Sequence, residues 1–300
     1  MVYADYDLVV IGGGLGGAAI GKALAEHGAR VLILECEKQF HDRIRGEGLT
    51  PWGGAEAQRL GIYQMLVDSC AYEKPRMISL GLERDLVATT QHKLPLLSFY
   101  HPEMQEVLFQ AAAKAGAEVR RGAMVCGIEM GFPTIVHFQG DRGSEKATAR
   151  LVIGANGRCS PIRKWCGFTE SQDPDRLYIA GVSLEGLQGM RDDSSYLFIN
   201  PDVGELTFLV GQGSDRARAY VGYRVERGYR LQGREVLPHF IEESVRCGIP
   251  MEFYAKAEWQ ALSPLLRVRI AGSSIHMSTA SRSSAMLPRL RIRTGDRDYH

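Results

Sequence analysis

A strand, a glycine-rich turn and a helix follow one another near the start of the chain and constrain its fold more than any other stretch. Residues 8–11 form a short run of branched apolar side chains, as expected of a parallel strand buried on both faces. Gly12, Gly14 and Gly17 follow with the G-x-G-x-x-G spacing. Gly12 permits a tight turn, Gly14 lets the backbone approach a pyrophosphate, and Gly17 lets the helix lie close to the sheet. The pattern predicts a βαβ unit that binds a nucleotide.

The residues after the turn complete this unit. A second apolar run over residues 31–34 ends at Glu35, whose carboxylate can accept hydrogen bonds from both hydroxyls of a ribose. An acidic residue at this position favours a ribose without a 2′-phosphate. The glycine motif alone is a weak signal, and an ordinary glycine-rich turn is the alternative. The complete order of strand, glycines, helix, strand and Glu35 favours nucleotide binding.

Composition excludes several other classes of protein. The 300 residues are 45% hydrophobic and 24% charged with a net charge of +1, so the overall charge favours neither nucleic acid nor an anionic membrane as a partner. No apolar run is long enough to span a bilayer, and Asp5 and Asp7 stand where a secretory signal would be basic. We therefore expect a cytoplasmic protein with a small-molecule ligand; the sequence carries no signal for an oligomeric state. The six cysteines lack metal-ligand spacing, which predicts reduced thiols and no metal site.

Three further segments carry candidate site residues. Arg43 and Arg45 lie in a glycine-containing loop and could reach a phosphate, with a solvated charged loop as the alternative. His101 opens a predicted helix that has a proline in its first turn. Residues 151–153 read as a buried strand that runs into a loop with Asn156 and Gly157, and ligands bind at such strand ends in open α/β sheets.

The remaining segments predict a second, antiparallel unit. Residues 76–99 and 176–230 alternate apolar and polar side chains in short runs, which is typical of strands outside the nucleotide fold. Residues 233–247 show helical apolar spacing and predict an amphipathic helix over this sheet. The fold class is therefore α/β, with an antiparallel sheet added to the nucleotide-binding unit.

The glycine motif at 12–17, the charged loop around Arg43 and Arg45, and the segment 154–163, in this order and spacing, resemble the single-component FAD-dependent aromatic hydroxylases. These are the para-hydroxybenzoate hydroxylase-like monooxygenases, and the resemblance extends over residues 5–260. The glycine motif starts close to the N-terminus, as it does in many flavoproteins, which favours FAD over NAD. The family has Gly-Ala-Asp-Gly where this chain has Asn156, whose amide keeps an acceptor oxygen but loses the charge.

The resemblance implies a fold and an activity. The fold is a Rossmann-like FAD-binding domain of the GR2 type, residues 1–74 and 98–175, interleaved with an antiparallel-sheet substrate domain, residues 75–97 and 176–260. The activity is that of a monooxygenase that uses NAD(P)H and O₂ to hydroxylate or epoxidise a small aromatic or olefinic substrate. With no second nucleotide fold in the sequence, NAD(P)H would bind transiently on the FAD domain.

The resemblance also assigns roles to the candidate residues. The ADP half of FAD would be held by Gly12, Gly14, Gly17 and Glu35. Arg43 and Arg45 would face the pyrophosphate and the flavin, and Asn156 and Gly157 the ribityl chain. His101 stands where the family places a polar group against FAD; the alternative is an exposed residue at a helix start without a partner. Flavin chemistry leaves few catalytic side chains to be predicted, and none is assigned.

Competing interpretations share the same fold. A geranylgeranyl-reductase-like or a halogenase-like flavoenzyme is the nearest, although we find neither a lysine-bearing halogenase loop nor a tryptophan-rich motif. A non-catalytic FAD-binding remnant is the alternative from a different class. The nature of the product, saturated or oxygenated, separates the reductase from the hydroxylase.

The last segment, residues 261–300, departs from the family. From about residue 265 arginines and serines dominate and periodicity is lost, where the family has a third flavin motif that contains Gly-Asp-Ala-Ala. Read one base out of frame, the codons around residues 280–287 permit Gly-Val-Ala-Leu-Ile-Gly-Asp-Ala. We therefore hypothesise that a frameshift produced this tail and that the chain retains FAD weakly and is impaired in monooxygenation. A natural basic tail and a disordered extension are the alternatives.

Overall fold

The computed structural model describes residues 3–43, 45–158, 160–172, 174–200, 205–213, 215–268 and 271–274. The described residues form four sheets and seven α-helices, and none of these helices is long and apolar enough to cross a membrane. The strands are β1 (Tyr6–Ile11), β2 (Val31–Leu34), β3 (Gly48–Leu49), β4 (Ala71–Lys74), β5 (Arg76–Ser79), β6 (Leu82–Asp85), β7 (Leu96–Phe99), β8 (Glu118–Arg120), β9 (Met124–Glu129), β10 (Thr134–Gly140), β11 (Gly143–Gly154), β12 (Thr169–Gln172), β13 (Leu177–Glu185), β14 (Ser194–Asn200), β15 (Glu205–Gly211), β16 (Arg216–Arg224), β17 (Glu258–Val268) and β18 (Ala271–Ser274). The helices are α1 (Leu15–Glu26), α2 (Pro51–Arg59), α3 (Tyr63–Ser69), α4 (Leu86–Thr89), α5 (His101–Lys114), α6 (Ile162–Trp165) and α7 (Leu237–Arg246), with 3₁₀ turns at Val225–Arg227, Arg234–Val236 and Met251–Tyr254.

A six-stranded sheet carries the predicted nucleotide unit. Its order is β8-β2-β1-β11-β10-β9, and β1 pairs in parallel with β2 on one side and β11 on the other. The four residues 8–11 of β1 are all at most 4% exposed, because α1 and α5 cover one face of the sheet and apolar side chains of β9, β10 and α6 cover the other. This confirms the strand–turn–helix–strand prediction and brings the carboxyl ends of β1, β2 and β11 to one edge.

A seven-stranded sheet forms the second unit, as the alternating pattern predicted. Its order is β17-β13-β16-β15-β14-β5-β6, antiparallel except where β14 pairs in parallel with β5. One face carries an apolar cluster that includes Tyr223 and packs against Phe240 of α7 and Phe253 of a 3₁₀ turn. The other face carries Arg218 and Tyr220, which point towards the loop after β2. Both faces are therefore covered at the middle of β16.

A small three-stranded sheet, β3-β7-β4, joins the two units. All four residues of β7 are buried, and the Oγ of Ser98 in this strand donates a hydrogen bond of 2.6 Å to the carbonyl oxygen of Gly211 at the end of β15. The sequence predicted strands outside the nucleotide fold over residues 76–99, with the substrate-domain part ending at residue 97. In the structure β5 and β6 join that sheet, whereas β7 pairs with β3 and β4.

Two expectations about strands need correction. Leu151, which the sequence places in a buried strand, is 56% exposed, because β10 pairs with β11 only as far as Ala149 and leaves this side of β11 open. Periodicity was expected to be lost from about residue 265, yet β17 continues to Val268 and β18 pairs with β12. The out-of-frame motif at residues 280–287 lies outside the described residues.

Candidate functional site

The glycine turn after β1 has the steric properties that its sequence predicts. Gly12 has φ of 105°, and a Cβ there would lie 2.5 Å from the carbonyl oxygen of Ala155. A Cβ on Gly17 would lie 1.9 Å from the carbonyl oxygen of Gly12, so only glycine lets α1 approach this closely. A Cβ on Gly14 would meet only the side-chain nitrogen of Gln105, at 3.9 Å. The turn is therefore tightly packed at Gly12 and Gly17 and open at Gly14.

The start of α1 is a place where an anion can bind. Gly14 is the N-cap residue, no side chain caps the helix, and its first turn contains no acidic residue. The first N–H groups of a helix have no partner inside the helix and carry its positive dipole end. These groups lie at the open side of the turn, beside Gly14. The donor set suits a pyrophosphate.

Glu35 lies at the end of β2 and faces the glycine turn. It is 6% exposed; its Oε2 accepts a hydrogen bond of 2.7 Å from the backbone N of Gly13, and its Oε1 accepts one of 2.9 Å from the backbone N of Glu37. The carboxylate therefore braces the turn, a role that the sequence did not reveal. Because each oxygen has two lone-pair sites, acceptor capacity for a ribose hydroxyl remains.

Asn156 and Gly157 reach the same edge of the sheet. The backbone N of Ala155 donates a 2.7 Å hydrogen bond to the carbonyl oxygen of Ile11, so the loop after β11 lies directly beside the glycine turn. Asn156 and Gly157 are exposed, and Gly157 has φ of 84° with open space where a Cβ would project. The loops after β1, β2 and β11 thus lie side by side at one edge of the sheet, with open space at Gly14 and at Gly157.

The two arginines of the charged loop differ in their contacts. Arg43 is half exposed and its Nη2 lies 2.7 Å from Oε1 of Glu37, which follows β2. Arg45 is exposed, and within the described ranges its guanidinium has no ion-pair partner. Its backbone oxygen accepts a hydrogen bond of 3.3 Å from the hydroxyl of Tyr220. Arg45 is therefore available to bind a phosphate. Arg43 would have to leave Glu37 to do so, or contact Glu37 and the phosphate together.

His101 is buried, so the alternative of an exposed histidine without a partner is wrong. Its Nδ1 lies 2.8 Å from the carbonyl oxygen of Gly46 and must carry the hydrogen, because a carbonyl only accepts. Burial lowers the pKa of His101, the hydrogen bond to Gly46 opposes this shift, and Arg45 adds to it. The neutral ring fixes the loop that carries both arginines against the start of α5.

A buried ionic cluster behind this loop was not predicted. Arg218 of β16 is fully buried; its Nε lies 3.0 Å from Oε2 of Glu47, and its Nη2 also binds Asp42. The hydroxyl of Tyr220 binds the same Glu47 carboxylate. Burial raises the pKa of Glu47, while Arg218 and Tyr220 oppose the shift. The arginines at 216 and 218, directly before the run of residues 219–223, were the available sequence signal.

Gln212 is a further buried polar side chain, close enough to Glu47 to help lower the pKa of that carboxyl. It is 2% exposed, and neither its amide nitrogen nor its amide oxygen makes a hydrogen bond of good geometry in the part of the chain that the structure describes. A buried amide without such bonds costs free energy unless a ligand or water satisfies it. The loop, the cluster and Gln212 form the wall between the nucleotide unit and the second sheet.

The fold and this edge of the sheet define a dinucleotide-binding α/β protein with an added antiparallel sheet. Over residues 5–250 the sequence matches the family described as FAD binding domain, and the chain belongs to that family. The family resemblance and the fold class that the sequence predicted are thereby confirmed. FAD is the nucleotide that the family description names.

Individual relatives were found in sequence and in structure. The chain is 27% identical over 271 residues to aklavinone 12-hydroxylase DnrF of Streptomyces peucetius subsp. caesius. The aligned region covers 82% of this chain and 55% of that protein. It is 24% identical over 266 residues to digeranylgeranylglycerophospholipid reductase 2 of Methanococcoides burtonii, covering 80% of this chain and 60% of that protein. The chain thus spans little more than half the length of these relatives.

The crystal structure of p-nitrophenol 4-monooxygenase PnpA from Pseudomonas putida DLL-E4 has a similar fold. The two structures superpose with a TM-score of 0.73 at 20% sequence identity, and the matched region covers 90% of this chain and 69% of the PnpA chain. At this level of identity the similarity concerns the fold, which it shares over both the six-stranded and the seven-stranded sheets.

Proposed function

We propose that the chain is an FAD-dependent monooxygenase that uses NAD(P)H and O₂ to hydroxylate or epoxidise a small aromatic or olefinic substrate. The observation that carries this proposal is the open space above Gly14, around which the carboxyl ends of β1, β2 and β11 bring their loops together. Membership in the FAD binding domain family and similarity to hydroxylases support it.

The residues at this edge suit the parts of FAD that they would hold. The N–H groups at the start of α1, next to Gly14, suit the pyrophosphate, and Glu35 suits the adenosine ribose. Arg45 would add a positive charge for the phosphates. Asn156 and Gly157 would face the ribityl chain, with the Asn156 amide in place of a carboxylate.

Bound FAD would supply hydride uptake from NAD(P)H and activation of O₂. The protein's part is to bind, orient and exclude water. Neutral His101 holds the backbone of the charged loop at Gly46, and the ion pair of Arg218 with Glu47 closes the space behind it. A closed wall of this kind keeps water from a reactive centre.

The test is turnover by the purified chain with both nicotinamide donors and a panel of phenols and polyenes. We expect NAD(P)H oxidation coupled to O₂ uptake and a product that has gained one oxygen atom, as read by mass spectrometry. A product that has gained two hydrogen atoms instead would identify a reductase, an alternative favoured by the 24% identity to the archaeal reductase. Absence of turnover with every donor and substrate would favour the non-catalytic remnant.

Residues 261–300 bear on the level of this activity. We propose that they stand in place of a third flavin motif and that the chain is therefore impaired in FAD retention and monooxygenation. Resequencing the gene tests this: codons that do not spell the Gly-Asp-Ala motif one base out of frame would end the frameshift hypothesis. A cytoplasmic location and the domain limits at residues 74, 97, 175 and 260 remain part of the proposal.

A further inference from the structure

A cavity lies away from the glycine turn, between the small sheet and the end of β15. Its volume is about 640 Å³, within the range that small-molecule sites usually have. Strand β4 forms one wall, and the β15–β16 connection and the segment before β14 form the others. The residues around it include Tyr72, Lys74, Leu187, Met190, Gly211 and Ala217.

Lys74 is the buried charged residue of this cavity. It is 5% exposed, and its Nζ donates a hydrogen bond to the backbone oxygen of Asp192. Among the described residues, no carboxylate oxygen lies within 4.0 Å of Lys74 Nζ, so Lys74 has no ion-pair partner there. An ammonium group has three N–H donors, so two remain. A buried cation with spare donors is costly unless an anion neutralises it.

The other charged groups of the cavity do not neutralise Lys74. Glu73 accepts a 2.7 Å hydrogen bond from the hydroxyl of Tyr63, and Asp192 and Asp215 are exposed to solvent. Arg216 also lines the cavity, and its guanidinium lies 4.3 Å from the centre of the Tyr100 ring. Burial lowers the pKa of Lys74, and Asp192 and Asp193 oppose the shift only in part. Lys74 is therefore a buried cation of the cavity lining that has no carboxylate partner among the described residues.

The space next to the ammonium is kept open by glycine. A Cβ on Gly211 would lie 3.5 Å from Lys74 Nζ and 2.8 Å from the terminal methyl of Met190. The Tyr72 ring lies 5.9 Å from Nζ and, with Leu187 and Met190, gives an apolar surface beside the charge. Apolar walls with one convergent cation suit a flat organic acid.

We propose that this cavity binds the substrate through an acidic group, and that Lys74 determines specificity by pairing with the carboxylate of an aromatic acid. That the ligand is a substrate rests on the proposed function, whereas the binding of an aromatic carboxylate does not. A carboxylate accepts hydrogen bonds from the free N–H donors of the Lys74 ammonium and also neutralises its charge. A neutral ligand of the same shape can accept the hydrogen bonds but leaves the charge uncompensated.

The experiment compares 2-naphthoate with 2-naphthamide, which have the same rings and differ in charge. Binding to the full 300-residue chain, with FAD present, is measured by isothermal titration calorimetry. Because a charge-assisted hydrogen bond in a buried site is stronger than a neutral one, we expect naphthoate to bind about ten- to hundredfold more tightly. Lys74→Met should abolish this preference with little effect on naphthamide. Lys114→Met, at an exposed lysine that ends α5, is the matched control and should retain the preference.

A second measurement does not depend on a folded variant. Lys74 of the wild-type chain is labelled with an amine-reactive reagent and quantified by peptide mass spectrometry, with and without naphthoate. Protection of Lys74 by naphthoate but not by naphthamide supports the proposal. Equal affinity for the two compounds, no binding of either up to its solubility, or an unchanged preference in Lys74→Met overturns it. None of these outcomes depends on turnover, so a failure here is separate from a failure of the monooxygenase proposal.

Discussion

Gly14 allows nucleotide binding to be tested without disturbing the packing of the protein. A Cβ at this position meets only Gln105, at 3.9 Å, so Gly14→Val should fold with little loss of stability. Its branched side chain would occupy the space in which the backbone approaches a pyrophosphate. We expect FAD binding to be abolished, as measured by fluorescence titration, while the circular dichroism spectrum is unchanged.

The control for this substitution is Gly127→Val in β9, where a Cβ meets no atom within 4 Å. This variant should bind FAD as the wild-type chain does. Undiminished FAD binding by Gly14→Val would contradict the assignment of the glycine turn. The same substitution at Gly17 would not be informative, because the 1.9 Å contact with Gly12 would disrupt the packing of α1 itself.

Glu35 has two tasks that substitutions can separate. Glu35→Ala removes both the predicted ribose acceptor and the acceptor for the Gly13 N–H, so FAD affinity should fall by about 1–3 kcal/mol. Glu35→Gln keeps one amide oxygen for the Gly13 N–H and should lose less. Titration of the two variants with FAD measures the difference. Unchanged affinity in Glu35→Ala would mean that the carboxylate only braces the turn.

His101 makes the stability of the folded chain depend on pH. Its pKa in the folded chain is lowered below the ordinary value of 6.5 by burial, so the unfolded chain binds the proton more readily. The stability that His101 contributes is present above pH 6.5 and is lost as the pH falls below that value towards the lowered pKa. Urea unfolding between about pH 7.5 and 5 should therefore show a smaller loss of stability in His101→Asn than in the wild-type chain.

Asparagine is chosen at position 101 because its amide can still donate to the oxygen of Gly46. The exposed His41 provides the control, since His41→Asn should leave the pH dependence as it is in the wild-type chain. Parallel curves for wild type and His101→Asn would contradict the buried, neutral state of this ring.

At the scale of elements, the loop after β2 and strand β16 are joined by the buried pair of Glu47 with Arg218. The two side chains are at most 1% exposed, and removal of one partner leaves the other charge buried without compensation. We expect Arg218→Met to reduce the free energy of unfolding by about 3–5 kcal/mol. The double variant Glu47→Gln with Arg218→Met should recover a part of that loss. Chemical denaturation of the four proteins completes the cycle.

The surface pair of Arg59 with Glu56 in α2 is the control for this cycle. Both side chains are more than half exposed, so Arg59→Met should cost less than about 1 kcal/mol. If Arg218→Met cost no more than Arg59→Met, the buried pair would not be what holds the loop against β16.

The parts of the fold that could be predicted are those with a local signature. The apolar run of residues 8–11, the spaced glycines and Glu35 are close in sequence, and each constrains its neighbours. The exposure of Leu151 could not be predicted, since it depends on where β10 stops pairing with β11. The pairing of Glu47 with Arg218 is likewise a long-range contact, between residues 171 positions apart. The sequence identified His101 as a candidate site residue. Its burial could not be predicted, because it depends on how the loop after β2 packs against the ring.

At the scale of the whole molecule, the loop after β2 connects the six-stranded sheet with the seven-stranded sheet. The six-stranded sheet presents its loops at one edge, and the seven-stranded sheet presents Arg218, Tyr220 and Gln212 towards them. The small three-stranded sheet connects to the end of β15 through the hydrogen bond from Ser98 to Gly211. We assign the nucleotide site to the six-stranded sheet, and the selection of substrate to Lys74 of the three-stranded sheet together with the β15–β16 connection.

The most direct test of the nucleotide site is a titration of the purified chain with FAD and, separately, with FMN, followed by flavin fluorescence. The glycine turn, the start of α1 and Glu35 are assigned to the ADP half of the cofactor, of which FMN has only one phosphate and no adenosine. We predict saturable binding of one FAD per chain, weak if the tail impairs retention, and at least about tenfold weaker binding of FMN. Equal binding of the two flavins, or no saturable binding of FAD, would contradict this assignment.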